Sequence, residues 1–521
     1  MIKSKKETGT YYTPSKLAKL IVSHLNPYFD DNMSVLEPSA GDGVFISAIA
    51  EIEKKLKLTA LDINEEELKI AKTKNKHSYA RFINKDFLDF SPTKKFGLIL
   101  GNPPYIKKSI LSTSQLEKCR EINSLNELPN SCVKNLWITF LLKSVNLLSK
   151  TGLLAFMLPS DLLQHKYSDH ILNFLKREFE RIEIVTFDKL LFDAKGQDTI
   201  LVIGFKKHAK KGVFFGQSIA SDTKTKKVKI KQNSTLLTSN LKWTHHFLSS
   251  EDIEFLTSIR NNINSIQDIS NSKPGIVTAA NKYFIVDKAI ERKYNLSNYT
   301  EGVIQKGVLV NGKVTITIDD FKKLEESNKP TRLLVINSTT KINKGLKKYL
   351  AIGQDDEIHK RYKCRIRESW YSIPNVKQKP KIFFFKRSHL YPKLLLNNAN
   401  VHLTDSAYYV APKKGYKDKD IVYSFYNSLT LLYAELCGRY YGGGVLELTP
   451  SEFKSLPIPY TSVKAKLFND FKKQFRTKKS INEVLARNDL KILCETCSMN
   501  NEHLDKIQDI RTKLLNKRLR I

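Results

Sequence analysis

Between residues 34 and 205, short apolar runs of strand length alternate with segments of helical period, and several of the runs end in turns bearing an acid, a glycine or a proline. No other feature of this 521-residue chain limits its fold so strongly. Residues 15–28, SKLAKLIVSHLNPY, place Leu17, Leu20, Ile21, Val22 and Leu25 near helical spacing behind a Thr13-Pro14 start signal. Val35 and Leu36 predict a short buried strand, Glu37 to Gly43 a turn, and Val44 to Lys55 a helix. LTALDIN at 58–64 predicts a second strand with a helix after it from 65 to 74. ARFINKDFLDF supplies a third strand or turn, and FGLILGNPPY a fourth strand. A helix near 136–148 leads into the strand GLLAFMLPSDLL, and RIEIVTFDKLLF and DTILVIGFKK add two more. This alternation predicts an open α/β sheet of mostly parallel strands.

In such sheets ligands bind beyond the carboxyl ends of the strands, near a switch in strand order. VLEPSAGDGVF sits at such an end, and Gly41 and Gly43 allow close backbone approach. The turn is not G-x-G-x-x-G, and the acid at Glu37 opposes a diphosphate; it suits a cationic or amine-bearing cofactor. Asp62 follows Gly41 by 21 residues, at the end of the next strand, where an acid accepts hydrogen bonds from ribose hydroxyls. Asp86-Phe87, after the third strand, offers an acceptor for an exocyclic amine and an apolar face for a purine. S-adenosylmethionine has all three features: a sulfonium with an amino group, a ribose and an adenine.

The fourth strand leaves through LILGNPPYIK, residues 98–107. Each proline fixes its own φ and biases the residue before it toward an extended backbone. Asn102 and the nearby carbonyls are thereby held out of strand pairing. Such acceptors grip the two hydrogens of an NH2 group, and Tyr105 supplies a face for stacking. The same hydrogen bonds favour the pyramidal geometry an amine takes as its lone pair attacks.

Taken in order, TGTYYTP at 8–14, EPSAGDGVF at 37–45, LDIN at 61–64, KDFLDF at 85–90 and GNPPY at 101–105 resemble the motifs of S-adenosylmethionine-dependent DNA adenine N6-methyltransferases of restriction-modification type, specifically the γ class, which is TaqI-like. The likeness is strong over residues 8–205 and weaker in GIVTAANKYFIV (275–286) and GRYYGGGVLELTPSEFKSLPIP (438–459), which look like the ends of a recognition domain. The resemblance implies a Rossmann-like, mostly parallel methyltransferase sheet with helices on both faces, plus a C-terminal mixed α+β DNA-recognition domain. It implies that Tyr12, Thr13 and Pro14 help hold the methionine part of the cofactor, with Glu37, Pro38, Ser39, Ala40, Gly41 and Gly43. Asp62 and Ile63 would contact ribose and adenine, and Asp86 and Phe87 the cofactor's adenine. Asn102 and the Pro103 carbonyl would hold the target amino group beside Pro104, with Tyr105 stacked on the ring. A second stacking aromatic is expected at Phe192, with Phe187 as the competing position, while Asn135 and Phe140 are read as helix packing. Methyl transfer to a flipped-out adenine would be a direct displacement, with no covalent enzyme intermediate and no metal.

With 87 Lys+Arg against 53 Asp+Glu, the formal charge of +34 favours a polyanionic partner, nucleic acid first and an acidic membrane second, and the resemblance implies double-stranded DNA. Residues 206–232 hold nine lysines and one acid, and a domain boundary is placed there. The expected division is a catalytic domain over 1–210, a basic linker over 211–239, a target-recognition domain over 240–460 and a basic helical segment over 461–521. Lysines of 206–231 and cations of 360–390 are expected to meet phosphates, contacts that give affinity rather than sequence choice. The six cysteines make no disulfide framework, and Cys494 and Cys497, with His503 nearby, lack a second pair at zinc spacing. The N-terminus has no apolar signal core and no run approaches membrane-spanning length, so a cytoplasmic, membrane-free protein is expected; separately, it is expected to bind an asymmetric site as a monomer. A restriction endonuclease, if there is one, is expected as a separate chain. Methyl transfer to RNA or to a protein glutamine amide, and a non-catalytic DNA-binding modification subunit, are the competing readings.

Overall fold

The computed structural model describes residues 13–75, 80–164, 167–187, 198–218, 229–232, 248–261, 263–337, 340–374, 376, 378–441, 443–477 and 480–519. The chain divides into two compact units, Met1–Glu254 with Tyr441–Gly443 and Leu519–Ile521, and Phe255–Tyr440 with Gly444–Arg518.

The first unit is built on one sheet. Its strands are β1 (Ser34–Glu37), β2 (Lys57–Asp62), β3 (Ala80–Asn84), β4 (Phe96–Gly101), β5 (Leu148–Pro159), β6 (Arg181–Phe187), β7 (Thr199–Phe205), β8 (Gly212–Ser218) and β9 (Lys229–Gln232). They lie in the order β3-β2-β1-β4-β5-β7-β6-β8-β9. β7 runs antiparallel to β5 and β6, and β9 antiparallel to β8, while the remaining pairings are parallel. The mostly parallel α/β sheet expected from the sequence is therefore present. Its order reverses direction at β1/β4, the kind of switch point where a crevice opens at the carboxyl ends.

Side chains alternate across the sheet as the strand period requires. Ile99, Leu154, Phe156, Ile184 and Val202 face one core, which α4 (Thr113–Leu125), α5 (Leu136–Leu147) and α6 (Ser168–Glu178) cover. Leu98, Leu100, Ala155, Val185 and Ile203 face the other, under α1 (Ser15–Leu25), α2 (Val44–Ala50) and α3 (Glu65–Lys74). With both faces covered, the strands read as continuous apolar runs rather than alternating ones. α3 illustrates local agreement. Asn64 caps it by accepting from the Glu66 and Glu67 amides, acids fill its first turn, and Lys72 and Lys74 its last.

Two expectations change. The helix expected over 44–55 ends at Ala50. The stretch expected as a linker over 211–239 contributes β8 and β9 to the sheet. Val213 and Phe215 of β8 join the α4–α6 core, and Arg181 lies 3.7 Å over the Phe214 ring, so an apolar VFF outweighs the lysines around it. Lys206 pairs with Glu178, and Lys207 and Lys211 with Glu180, so these three lysines are already engaged; residues 219–228 lie outside the described set.

The second unit mixes short strands and helices. A five-stranded sheet runs in the order Ser270–Pro274, Ala407–Pro412, Ile382–Phe385, Lys393–Asn397, Thr315–Ile316. A four-stranded sheet orders Ile285–Val286, Arg332–Leu334, Thr300–Ile304 and His402–Leu403. In the C-terminal stretch the helix Ala465–Thr477 buries Phe468, Phe471 and Phe475. Among the described residues, no helix is long and apolar enough to cross a membrane, and no cluster of three metal-ligating side chains occurs.

Candidate active site

The carboxyl ends of β1, β2 and β4 meet at one edge of the first sheet, and each delivers a residue that the sequence reading singled out. β1 ends at Glu37, whose side chain is 1 % exposed. Burial pushes its carboxyl well above the ordinary range, and the charges of Asp62 and Asp42 push it further in the same direction. Its Oε2 is buried without a hydrogen-bond partner among the described residues, as is the Thr13 hydroxyl. A buried polar atom left unsatisfied is costly unless a ligand completes it.

After Glu37 the chain turns tightly. The Ala40 amide donates to the Leu61 carbonyl at 2.8 Å, and the Gly43 amide to the Ala40 carbonyl at 2.9 Å. Gly43 has a φ of +81°, and a Cβ there would sit 2.7 Å from Asn75 Nδ2 and 2.9 Å from the Ala71 Cβ. Only glycine closes this turn against α3. The Gly41 amide donates to Asp62 Oδ2 at 2.7 Å, and the Asn64 amide to Asp62 Oδ1 at 2.8 Å, so the second acid is oriented by the glycine turn itself. Burial raises the Asp62 pKa, against the lowering effect of those backbone donors. Beside it, Ile63 is 67 % exposed, a free apolar face at the strand end.

Asp86 caps a single helical turn at Phe87–Asp89, accepting from the Leu88 amide at 2.8 Å. Two residues missed in the sequence reading also hold this turn. Gln115 of α4 donates to Asp86 Oδ2 at 3.3 Å, and Lys143 of α5 donates to the Leu88 carbonyl at 2.7 Å while lying 5.2 Å from the Phe87 ring centroid. Burial lowers the Lys143 pKa to about 8, and Asp89 and Asp86 oppose that shift. The signal for α4 was legible in Ser112 and Gln115, which form a capping box, whereas nothing in the sequence marked Lys143. Phe87 is 2 % exposed and packs on Phe140 at 4.8 Å, so its ring face is occupied by the core.

β4 ends at Gly101, with φ +153°, and enters the corner Asn102-Pro103-Pro104-Tyr105. A Cβ on Gly101 would lie 3.7 Å from the Glu37 Cγ, which measures how near the corner sits to the buried acid. Ser39 of the glycine turn donates to the Asn102 carbonyl at 3.1 Å. The Tyr105 hydroxyl donates to the Met157 carbonyl at 3.1 Å, fixing the ring against β5. Asn135 caps α5 and bridges to Lys107, so it braces the segment leaving the corner. Phe187 packs into the core under α1–α3, on the opposite face of the sheet from the core that holds Tyr105. Tyr12 and Phe192 lie outside the described residues.

The residues fit a cationic, nucleoside-bearing ligand such as S-adenosylmethionine. A buried acid with an unpaired oxygen would suit a cationic end, an oriented carboxylate at Asp62 could accept from hydroxyls, and the uncovered apolar face of Ile63 could take a flat base.

Known proteins similar to this chain include restriction-modification methyltransferases. Residues 18–192 match the Eco57I restriction-modification methylase family, and residues 240–493 match the C-terminal domain of the Type II methyltransferase M.Eco57I. The Type II methyltransferase M.AccI of Acinetobacter calcoaceticus is 25% identical over 441 residues, covering 80% of this chain and 79% of that protein. M.BanIII of Aneurinibacillus aneurinilyticus is 23% identical over 495 residues, covering 80% of this chain and 82% of that protein. Among solved structures, the Type IIL restriction-modification enzyme MmeI in complex with DNA has a similar fold at a TM-score of 0.61 and 11% identity, covering 99% of this chain and 80% of that one.

Proposed function

We propose, from the premise that the chain belongs to the restriction-modification DNA methyltransferases, that it methylates the N6 amino group of an adenine in double-stranded DNA in the manner of the γ class. The observation that carries the reading is the single hydrogen bond from Ser39 to the Asn102 carbonyl, which ties the acid-lined cofactor turn to the Asn-Pro-Pro-Tyr corner. Donor pocket and acceptor corner are thus one rigid construction.

S-adenosylmethionine supplies an activated methyl group on a positively charged sulfur. Glu37 and Thr13 would receive its cationic end, the glycine turn would let it approach closely, and Asp62 and Ile63 would take ribose and adenine. Asp86 accepts from the adenine's amino group. At the corner, the Asn102 side chain and the Pro103 carbonyl accept the two hydrogens of the target amine and aim its lone pair at the methyl carbon. With the methyl donor bound, transfer would be a direct displacement in which a nitrogen–carbon bond would replace the carbon–sulfur bond, the surplus proton then leaving the nitrogen. Alignment and fixed dipoles carry the rate, with no covalent enzyme intermediate. The target base must leave the duplex, at a cost of roughly a few kcal/mol, offset by stacking between Tyr105 and Phe192. Residues 240–460 choose the site, and a cognate nuclease, if there is one, is a separate chain.

Long-read detection of modified bases in DNA from cells expressing the protein tests this directly, beside an Asn102→Ala control. N6-methyladenine at one recurring motif, absent in the control, is expected. Unmodified adenine in DNA exposed to folded protein that binds S-adenosylmethionine would overturn the reading and redirect the search to RNA or protein amides.

A further inference from the structure

The second unit contains a groove of about 1080 Å3 between the loop 277–281 and the segment 358–363. The run IHKRYKCRIR, residues 358–367, holds five lysines and arginines and no acid. Its exposed ridge carries two large apolar side chains, Tyr362 at 69 % exposed and Ile366 at 64 %, flanked by Arg361, Lys363 and Arg365. Uncovered tyrosine and isoleucine set among cations are an unusual combination for a merely solvated face, because the apolar pair gains nothing from water.

The opposite wall is strained and braced. Ala279 has a φ of +70°, a conformation that a Cβ disfavours by roughly 1–2 kcal/mol. Arginines beside the ridge hold it there. Arg361 donates to the Ala279 carbonyl at 3.1 Å, and Arg367 donates to the carbonyls of Val277 and Thr278 at 3.3 and 2.9 Å. Both jaws are therefore preorganised before any ligand arrives, and stored backbone strain of this kind gathers at ligand clamps.

We propose that this groove and the exposed ridge continuing from its rim are a DNA-contact site: Lys363 at the groove and Arg365 on the ridge meet phosphates, while Tyr362 at the groove and Ile366 on the ridge reach base edges and so take part in choosing the methylated sequence; Lys282, Lys293, Arg361 and Lys363 outnumber Asp356 and Asp405 in the groove lining. The proposal rests on the DNA reading above and deepens it. Phosphate contacts supply salt-dependent affinity, and apolar and aromatic contacts in a groove supply discrimination. An acidic peptide fits less well, since the exposed tyrosine and isoleucine project from the ridge where only a partner with flat apolar faces covers them.

Two variants of the full chain test it: Lys363→Ala with Arg365→Ala, and Tyr362→Ala. The probes are a duplex bearing the motif that the wild type methylates and a scrambled duplex of the same length. The double variant is expected to lower the slope of log Kd against log salt by about 1–2, since each lost phosphate contact removes roughly 0.9. Tyr362→Ala is expected to weaken binding to the motif duplex about tenfold while changing binding to the scrambled duplex little. Unchanged S-adenosylmethionine affinity in both variants shows that the catalytic unit is intact. If wild type methylates DNA but the variants keep its salt slope and motif preference, the groove is not the contact site and the function stands. A lowered slope with unchanged preference overturns the base-reading role. Wild type that neither binds nor methylates DNA overturns function and groove together.

Discussion

Glu37 concentrates the chemistry of the site in one side chain. Folding raises its pKa above the ordinary 4.5, chiefly through burial, so the native state holds this proton more tightly than the unfolded chain. The stabilisation is fully present below the unfolded value and is lost as pH rises from there through the native value. At neutral pH this residue therefore weakens the empty fold in order to favour a cation. Glu37→Gln keeps the shape, removes the titration and leaves no charge for a sulfonium. The expected result is a higher melting temperature for the ligand-free protein at neutral pH, a flatter dependence of stability on pH above 4.5, and loss of S-adenosylmethionine binding by calorimetry. A variant that binds the cofactor as wild type does would remove Glu37 from the cofactor site.

The turn between β1 and α2 shows how an element transmits sequence into geometry. Gly43→Ala must accommodate a Cβ inside contact distance of Asn75 and Ala71 at a backbone conformation that disfavours one. Conformational strain and overpacking together predict a loss of roughly 2–4 kcal/mol, read as a lowered denaturation midpoint with the slope unchanged. Wild-type stability in this variant would mean that α3 retreats freely and that the turn is not rigid. This turn, the strands β1 to β7 and the Asn102–Tyr105 corner were legible beforehand, because each depends on local pattern: apolar runs, glycine, proline and an acid at a strand end. Other parts were not. The lysine content around β8 hid its apolar VFF, and α4 escaped notice although its capping box was written in Ser112 and Gln115. In the second unit, Ser270–Pro274 pairs with Ala407–Pro412, more than a hundred residues away, and no local period announces such a partner. Residue roles show the same limit. The contact of Phe87 with Phe140 was not foreseen, because it is set by the position of α5 rather than by any nearby motif.

At the scale of the whole molecule, the charge of +34 acts on folding and on binding with opposite sign. Like charges on a compact chain repel one another, and salt screens that repulsion over a Debye length that shortens from about 10 Å at 0.1 M to about 3 Å at 1 M. Added sodium chloride should therefore raise the melting temperature of the free protein. The same salt competes with cations that release counterions from DNA, so affinity should fall steeply, by about 10³-fold or more between roughly 50 and 200 mM if six or more phosphates are contacted. Local pairs such as Lys206, Lys207 and Lys211 with Glu178 and Glu180 hold individual cations but leave the net charge unchanged. The surplus that repels is what remains after such pairs, and it is this surplus that DNA neutralises. Thermal melts and DNA-binding titrations across one salt series separate the two effects. Opposite trends indicate unpaired cations held in reserve for a polyanion. A melting temperature that falls with salt would mean instead that the surplus cations lie too far apart to repel strongly, so that screening mainly weakens the ion pairs within the protein and no concentrated basic face is left to account for tight binding to DNA.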